Sequence, residues 1–333
     1  MAKHAILSAS SSERWIRCPP SARLCENIPD PGSPYAQEGT DAHALCEYLL
    51  LQALGHNARD PTEGLAWYNA EMQDAAEGYA AFVMEQVETA RQTGSEPLVC
   101  VEQRVDYSRW VPEGFGTADA LVISDGLMQI IDFKYGTGVP VSAAGEDGRG
   151  NSQLKCYALG ALDTFGNLYD IERIRLTIYQ PRRENFDTFE MTKDELLEWA
   201  EKTLRPRAEL AWKGKGEFAA GDHCRFCRIR STCRKRAEES MRLAAMDFTD
   251  PPSLSNEEIA ALLPKIEQME SWASDVKDYA LKKAIEGNHF PGWKLVEGRS
   301  NRYFPDEDAV ARIVSEAGYE PYEQKLLGVT AMT

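Results

Sequence analysis

Apolar positions recur at helical spacing, switch to alternation, and then return to helical spacing. These changes of period divide the chain into elements. Ser10, Ser11 and Ser12 cap a short helix carrying Glu13 to Cys18, which Pro19 and Pro20 stop. Residues 26–38 are rich in proline and glycine and read as loop. Broad apolar faces over 39–54, GTDAHALCEYLLLQAL, and over about 69–93 predict two helices. The period then becomes two: residues 98–107, 116–124 and 127–135 predict strands, the last two joined by the turn sequence SDG at 124–126. A glycine-rich loop at 136–150 leads to a helix over 151–164, a strand over 173–181 and a helix over about 192–212. Beyond these come a linker at 247–255, a long helix over about 256–286, a β-hairpin in PGWKLVEGRSNRYF at 291–304 and a helix over 306–317. The order predicts an α/β chain of the α+β type, with a small mixed sheet flanked by helices. The domains expected are 1–246 and an appendage of helix, hairpin and helix at 247–333.

One stretch breaks the apolar pattern. In IIDFKYGTG, residues 130–138, a buried-strand run ends in an acid and a base and is then interrupted by glycine. Residues i and i+2 of a strand share a face, so Asp132 and Lys134 point together. In the neighbouring strand Asp119 stands between Ala118 and Ala120, small residues that leave it room. Two adjacent carboxylates repel unless a positive charge lies between them, and Mg²⁺ or Mn²⁺ suits oxygen ligands of this kind. An ordinary strand-end salt bridge between Asp132 and Lys134 accounts for the same triplet. Other polar residues follow the same order. His43 shares a helix face with Gly39 and Glu47, Glu102 alternates with Cys100 and Arg104, and Gln153 and Tyr157 are one helical turn apart.

The succession Gly39-x3-His43-x3-Glu47, Gly116-x-x-Asp119, Asp132-x-Lys134, Gln153-x3-Tyr157 resembles the RecB-like branch of the PD-(D/E)XK nuclease superfamily, including an uncharacterised phage and prophage group. The likeness runs from residue 4 to about 236. It implies a restriction-endonuclease-like core and metal-dependent hydrolysis of DNA phosphodiesters, as an exonuclease in phage recombination or replication. It assigns His43, Asp119, Asp132 and the backbone carbonyl of Phe133 as metal ligands, and Lys134 as the catalytic lysine. Gln153 and Tyr157 would organise the site, and Glu102 would be a further carboxylate. The proline that gives the superfamily its name is absent, with Ala118 in its place, as is common in this branch. A recombination or single-strand-binding partner and self-association are also compatible with that role.

Cysteine usage adds to the resemblance. Three of the eight cysteines form Cys224-x2-Cys227-x5-Cys233. That spacing fits an iron–sulfur cluster or, with His223, a zinc site. With Cys18 far upstream, the set is similar to the iron staple of AddB-type and CRISPR-associated RecB-like nucleases. There a 4Fe–4S cluster ties the N-terminal helix to the end of the nuclease domain. Such a link closes about 200 residues into a loop and restricts the unfolded chain. Cys25 competes with Cys18 for the same place.

Overall charge changes the picture less than its distribution. A net charge of −16 argues against non-specific binding to nucleic acid. The stretch CRFCRIRSTCRKR, 224–236, nevertheless has no acid and carries Arg225, Arg228, Arg230 and Arg234. It suits either an anion-binding surface or a solvated helix end. The resemblance implies that these arginines face DNA phosphates. A phosphate-binding GxxxxGK[ST] loop, a GxGxxG fingerprint, a signal-peptide pattern and a membrane-length apolar run are all missing, so the expectation is a cytoplasmic protein without its own motor. Two rival readings are a non-catalytic DNA-binding or assembly protein on a nuclease fold and a zinc-stabilised interaction protein.

Overall fold

A computed structural model describes residues 5–29, 32, 34–92, 96–244, 256–298 and 306–322. In chain order the helices α1 (Ser12–Arg17), α2 (Ser21–Glu26), α3 (Pro34–Ala53) and α4 (Ala70–Arg91) precede the strands β1 (Leu98–Asp106), β2 (Phe115–Ser124) and β3 (Gly126–Phe133). Then come α5 (Ser152–Phe165), β4 (Ile171–Gln180), β5 (Asn185–Thr192), α6 (Lys193–Trp199) and α7 (Arg205–Trp212). The helices α8 (Arg234–Ala244), α9 (Asn256–Ile285) and α10 (Glu307–Glu316) follow. No described helix is long and apolar enough to cross a membrane.

The five strands lie in the sheet in their order along the chain. β1, β2 and β3 pair antiparallel, β3 and β4 pair parallel across α5, and β5 returns antiparallel on β4. The β2–β3 turn works because Gly126 adopts φ +80°, a backbone setting that costs glycine little. One sheet face packs Ala120, Val122, Ile131 and Phe133 with residues of α3 and α4, including Leu45, Leu50, Tyr79 and Val83. The other packs Leu121, Ile123, Met128, Ile130 and Leu176 with residues of α5, α6 and α7. Alternate side chains of β3 therefore serve two cores. This explains why its run before Asp132 is apolar on both faces except at Gln129, whose Oε1 accepts from Arg175.

The short helices α2 and α8 were not foreseen, and the structure differs further from the expected elements in four places. The strand β5 was not foreseen. Its inward positions are Asn185, Asp187, Phe189 and Met191, so half of the buried face is polar and hides the alternation. Asp187 is used there, accepting from Ser142 Oγ and Ala143 N at 2.8 Å each. The helix expected over 192–212 is interrupted by a π turn at Ala200–Leu204, directly before Pro206 in the first turn of α7. Helix α3 begins at Pro34, inside the expected loop. Of the hairpin expected at 291–304, residues 291–298 form no strand, and 299–304 lie outside the described residues, as does the linker 247–255. Trp293, Leu295 and Val296 are exposed, and a two-stranded hairpin without a covering layer is marginal in water.

The chain divides into two compact units, Met1–Lys277 and Asp278–Thr333, so the division falls within α9. Inside the first unit the N-terminal helices pack on α7. Arg23 Nε donates to Trp212 O at 2.7 Å, with its guanidinium over the Trp212 ring. Trp15 is fully buried and donates through Nε1 to Ser8 O.

Lys155 of α5 is only 2 % exposed, with Nζ 4.0 Å over the Trp199 ring and donating to Arg149 O at 3.0 Å. Burial pulls its pKa down to about 8, only partly opposed by Asp147. Between about pH 8 and the ordinary lysine value near 10.5 the unfolded chain holds a proton that the folded one lacks, so this group makes stability rise with pH there. Lys155→Met removes a buried charge worth up to about 3 kcal/mol at pH 7, offset by about 1–2 kcal/mol of lost contacts. The variant should melt above the parent at pH 7. Melting curves across pH should show that advantage vanishing as pH rises through this window.

Candidate metal centre

The parallel strands β3 and β4 end side by side, with Asp132 opposite Ile178 and Phe133 opposite Tyr179. Beyond the carboxyl ends of parallel strands the chain must leave the sheet, and polar groups gather there. Asp132 is 2 % exposed. Lys134 Nζ lies 2.8 Å from its Oδ2 as an ion pair. Gln153 on the first turn of α5 donates to Asp132 Oδ1 at 3.3 Å and to Tyr157 Oη at 3.0 Å, and accepts from Lys134 Nζ at 3.3 Å. The spacing of four on α5 therefore does place Gln153 and Tyr157 on one side. Tyr157 packs against Gly116, where an added Cβ would lie 2.6 Å from the ring. Asp132 Oδ2 thus has the Lys134 ammonium as its partner, and Oδ1 has the Gln153 amide.

A second group adjoins this one. The ligand atoms of His43, Glu102 and Asp119 lie within 4.8 Å of one another. His43 Nδ1 is 3.5 Å from Asp119 Oδ1, and Asp119 Oδ2 accepts from the Phe133 N–H at 2.7 Å. The His43 ring stands edge-on to Phe133 at 5.4 Å, so the aromatic core behind β3 orients it. Glu102 reaches the group through a backbone kink. It has φ +47°, and the β1–β2 ladder steps over it, from Val101 opposite Ala120 to Gln103 opposite Ala118. Before the kink Val99 and Val101 face the α3–α4 core, and after it Val105 faces the other core. Simple alternation with Cys100 and Arg104 therefore does not describe the direction of Glu102. A non-glycine residue in this region is strained, and the strain lies at the candidate site.

These acids share too little positive charge. Burial, with Asp119, Glu47 and Asp132 nearby, pushes the Glu102 carboxyl up to about 8. Burial pushes Asp119 up to about 6, the His43 ring opposing and Asp132 adding to the shift. Burial disfavours the Lys134 ammonium, but Asp132 and Asp119 outweigh it and hold its pKa above the ordinary value. A divalent cation fits this donor set, with carboxylate oxygens and one imidazole nitrogen within reach of one another and the buried Asp132 carboxylate beside them.

Two supporting residues escaped the sequence reading. Gln180 is buried at the end of β4 and pins the loop after Lys134, donating to Gly136 O and Val139 O and accepting from Val141 N. Arg182 pairs with Glu38 and Glu71 while stacking over Tyr135. The available signal was a polar residue ending an apolar strand, the same break that marks Asp132.

Cys18, Cys224, Cys227 and Cys233 line one small cavity together with Arg14 and His223. A single zinc ion holds its sulfurs about 3.8 Å apart. No three of the ligand atoms here come within 4.8 Å of one another. The expected arginine surface is only partly present. Arg228 donates to Cys25 O and Ile28 O, and Arg230 and Arg236 both pair with Asp275 of α9. Arg225, Arg228 and Arg234 remain exposed. Arg228 and Arg230 thus hold the chain together because α2 supplies carbonyls and α9 an acid, neither of which local composition revealed.

Among solved structures, one titled "Crystal structure of SSO0001" is similar over 58% of this chain and 95% of that chain, at 14% identity and a TM-score of 0.24. The family described as "Protein of unknown function (DUF2800)" matches residues 4–333, nearly the whole sequence, and the chain belongs to that family.

Proposed function

We propose that this protein is a metal-dependent phosphodiester hydrolase acting on DNA, built on a nuclease core of the RecB-like type. The observation that carries the reading is the convergence of His43, Glu102 and Asp119 beside the Asp132–Lys134 pair at one end of the sheet. His43, Asp119 and Asp132 would hold Mg²⁺ or Mn²⁺, with Glu102 as a fourth side chain. Such an ion supplies Lewis acidity toward a phosphoryl oxygen and lowers the pKa of a bound water. Lys134, kept protonated by its acidic neighbours, places a positive charge where a phosphate oxygen gains negative charge. Gln153 fixes both Lys134 and Asp132, and Tyr157 fixes Gln153. Cys18, Cys224, Cys227 and Cys233 line one cavity, and the resemblance assigns a structural 4Fe–4S cluster to them. A phage recombination or replication setting, with DNA ends or single strands as substrate, follows from the resemblance alone.

The test is cleavage of end-labelled single- and double-stranded DNA by anaerobically purified protein. Products should form with Mg²⁺ or Mn²⁺ and disappear with EDTA. Folded protein that binds DNA but leaves every substrate intact would favour a non-catalytic DNA-binding protein instead.

A further inference from the structure

Cys25 takes no part in the candidate metal centre and does not line the cysteine cavity, yet its Sγ lies 3.7 Å from Cys227 Sγ. Both thiols are buried, and all eight cysteines are free. The contact is bracketed by backbone on either side. Arg228, the next residue after Cys227, donates to Cys25 O at 3.1 Å and to Ile28 O at 2.6 Å. The C-terminal end of α2 is thereby clamped to the cysteine segment about 200 residues away, and the two sulfurs are pressed together. Cys227 thus has two possible partners. On one side it faces the cavity shared with Cys18, Cys224 and Cys233, and on the other it touches Cys25.

We propose that Cys25 and Cys227 form an oxidative disulfide that withdraws Cys227 from the cavity, so that metal binding by the cysteine set and the disulfide exclude each other. Forming the bond shortens this 3.7 Å contact to the bond length of about 2.05 Å. With a peroxide as oxidant, one sulfur attacks a peroxide oxygen, the O–O bond breaks, and a sulfenic acid and one water result. The other thiol then displaces the sulfenic hydroxyl, which leaves as the second water. Two thiols and one hydrogen peroxide give one disulfide and two waters, the sulfurs losing the two electrons that the peroxide gains. A reducing dithiol reverses the bond by exchange. The disulfide itself does not depend on the nuclease reading, while its exclusion of metal rests on the cluster proposed there for Cys227.

The experiment uses the full chain, purified anaerobically, freed of metal with a chelator and exposed to hydrogen peroxide. Remaining thiols are alkylated, and the digest is mapped by mass spectrometry without reduction. The expected product is a cross-linked peptide pair containing Cys25 and Cys227, two hydrogens lighter than its parts, with the free-thiol count lowered by two. Protein reconstituted with iron and sulfide before the oxidant should give much less of it, and Cys25→Ser should give none. If Cys227 instead pairs with Cys224 or Cys233, or if Cys25 and Cys227 are both still alkylated after oxidation, the proposal fails. The wild-type map decides this even if Cys25→Ser does not fold.

Discussion

Replacing Asp132 by Asn should lower metal-dependent DNA cleavage by about 10³-fold or more while leaving the chain folded. The substitution keeps the shape and removes the charge, so the packing around this buried position survives. What changes is the balance of charge. Asp132 is one of the acids that raise the Glu102 and Asp119 carboxyls, and it is the direct partner of Lys134. Without it the site has one negative charge fewer, and Lys134 loses the strongest attraction opposing its burial. Lys134→Ala should cost about 10²–10³-fold by removing the positive charge itself. Lys134→Arg should not restore the activity, because a planar guanidinium does not fit the place of a compact ammonium held by Asp132 and Gln153. Circular dichroism on the same samples separates lost chemistry from lost fold. If both variants are folded and still cleave at the parental rate, the site has been misassigned.

Phe133→Ala should destabilise the protein by about 3–5 kcal/mol, a fall in melting temperature of roughly 10 °C. Phe133 is fully buried and is the hub of an aromatic cluster, edge-on to His43 at 5.4 Å and to Tyr79 at 5.2 Å, and stacked with Tyr135 at 6.1 Å. Removing the ring leaves a cavity between the sheet and the α3–α4 layer that rigid neighbours fill poorly. It also frees the His43 ring, so Mn²⁺ affinity measured by calorimetry should weaken in parallel with the melting point. Phe133→Leu should cost much less on both counts. A Phe133→Ala variant within about 1 kcal/mol of the parent would mean that His43 is oriented by something else.

The parts of the site that were legible in the sequence are those governed by local geometry. Asp132 and Lys134 share a strand face by a spacing of two, and Gln153 and Tyr157 share a helix face by a spacing of four. Both relations hold regardless of what the rest of the chain does. Glu102 obeys no such rule, because its direction depends on a left-handed kink and on a ladder that skips it. The mixed sheet between helices followed from the order of periods, and β5 was lost because two of its four inward side chains are polar and serve a loop. The arginines of 224–236 read as a surface by composition. Only the packing of α2 and α9 shows that Arg228 and Arg230, while still reached by solvent, also fasten one part of the chain to another.

The sequential strand order and the docking of α1 and α2 on α7 set a timetable for folding during synthesis. Each strand finds its neighbour as soon as the next one emerges, so the sheet can assemble in the order in which it is made. The N-terminal helices come first but must wait for their partner α7, which ends at Trp212, close to 190 residues downstream of Glu26. At cellular elongation rates that delay is on the order of 10–40 s. For that interval the apolar surface around Trp15 has no α7 to rest on and stays open to a chaperone.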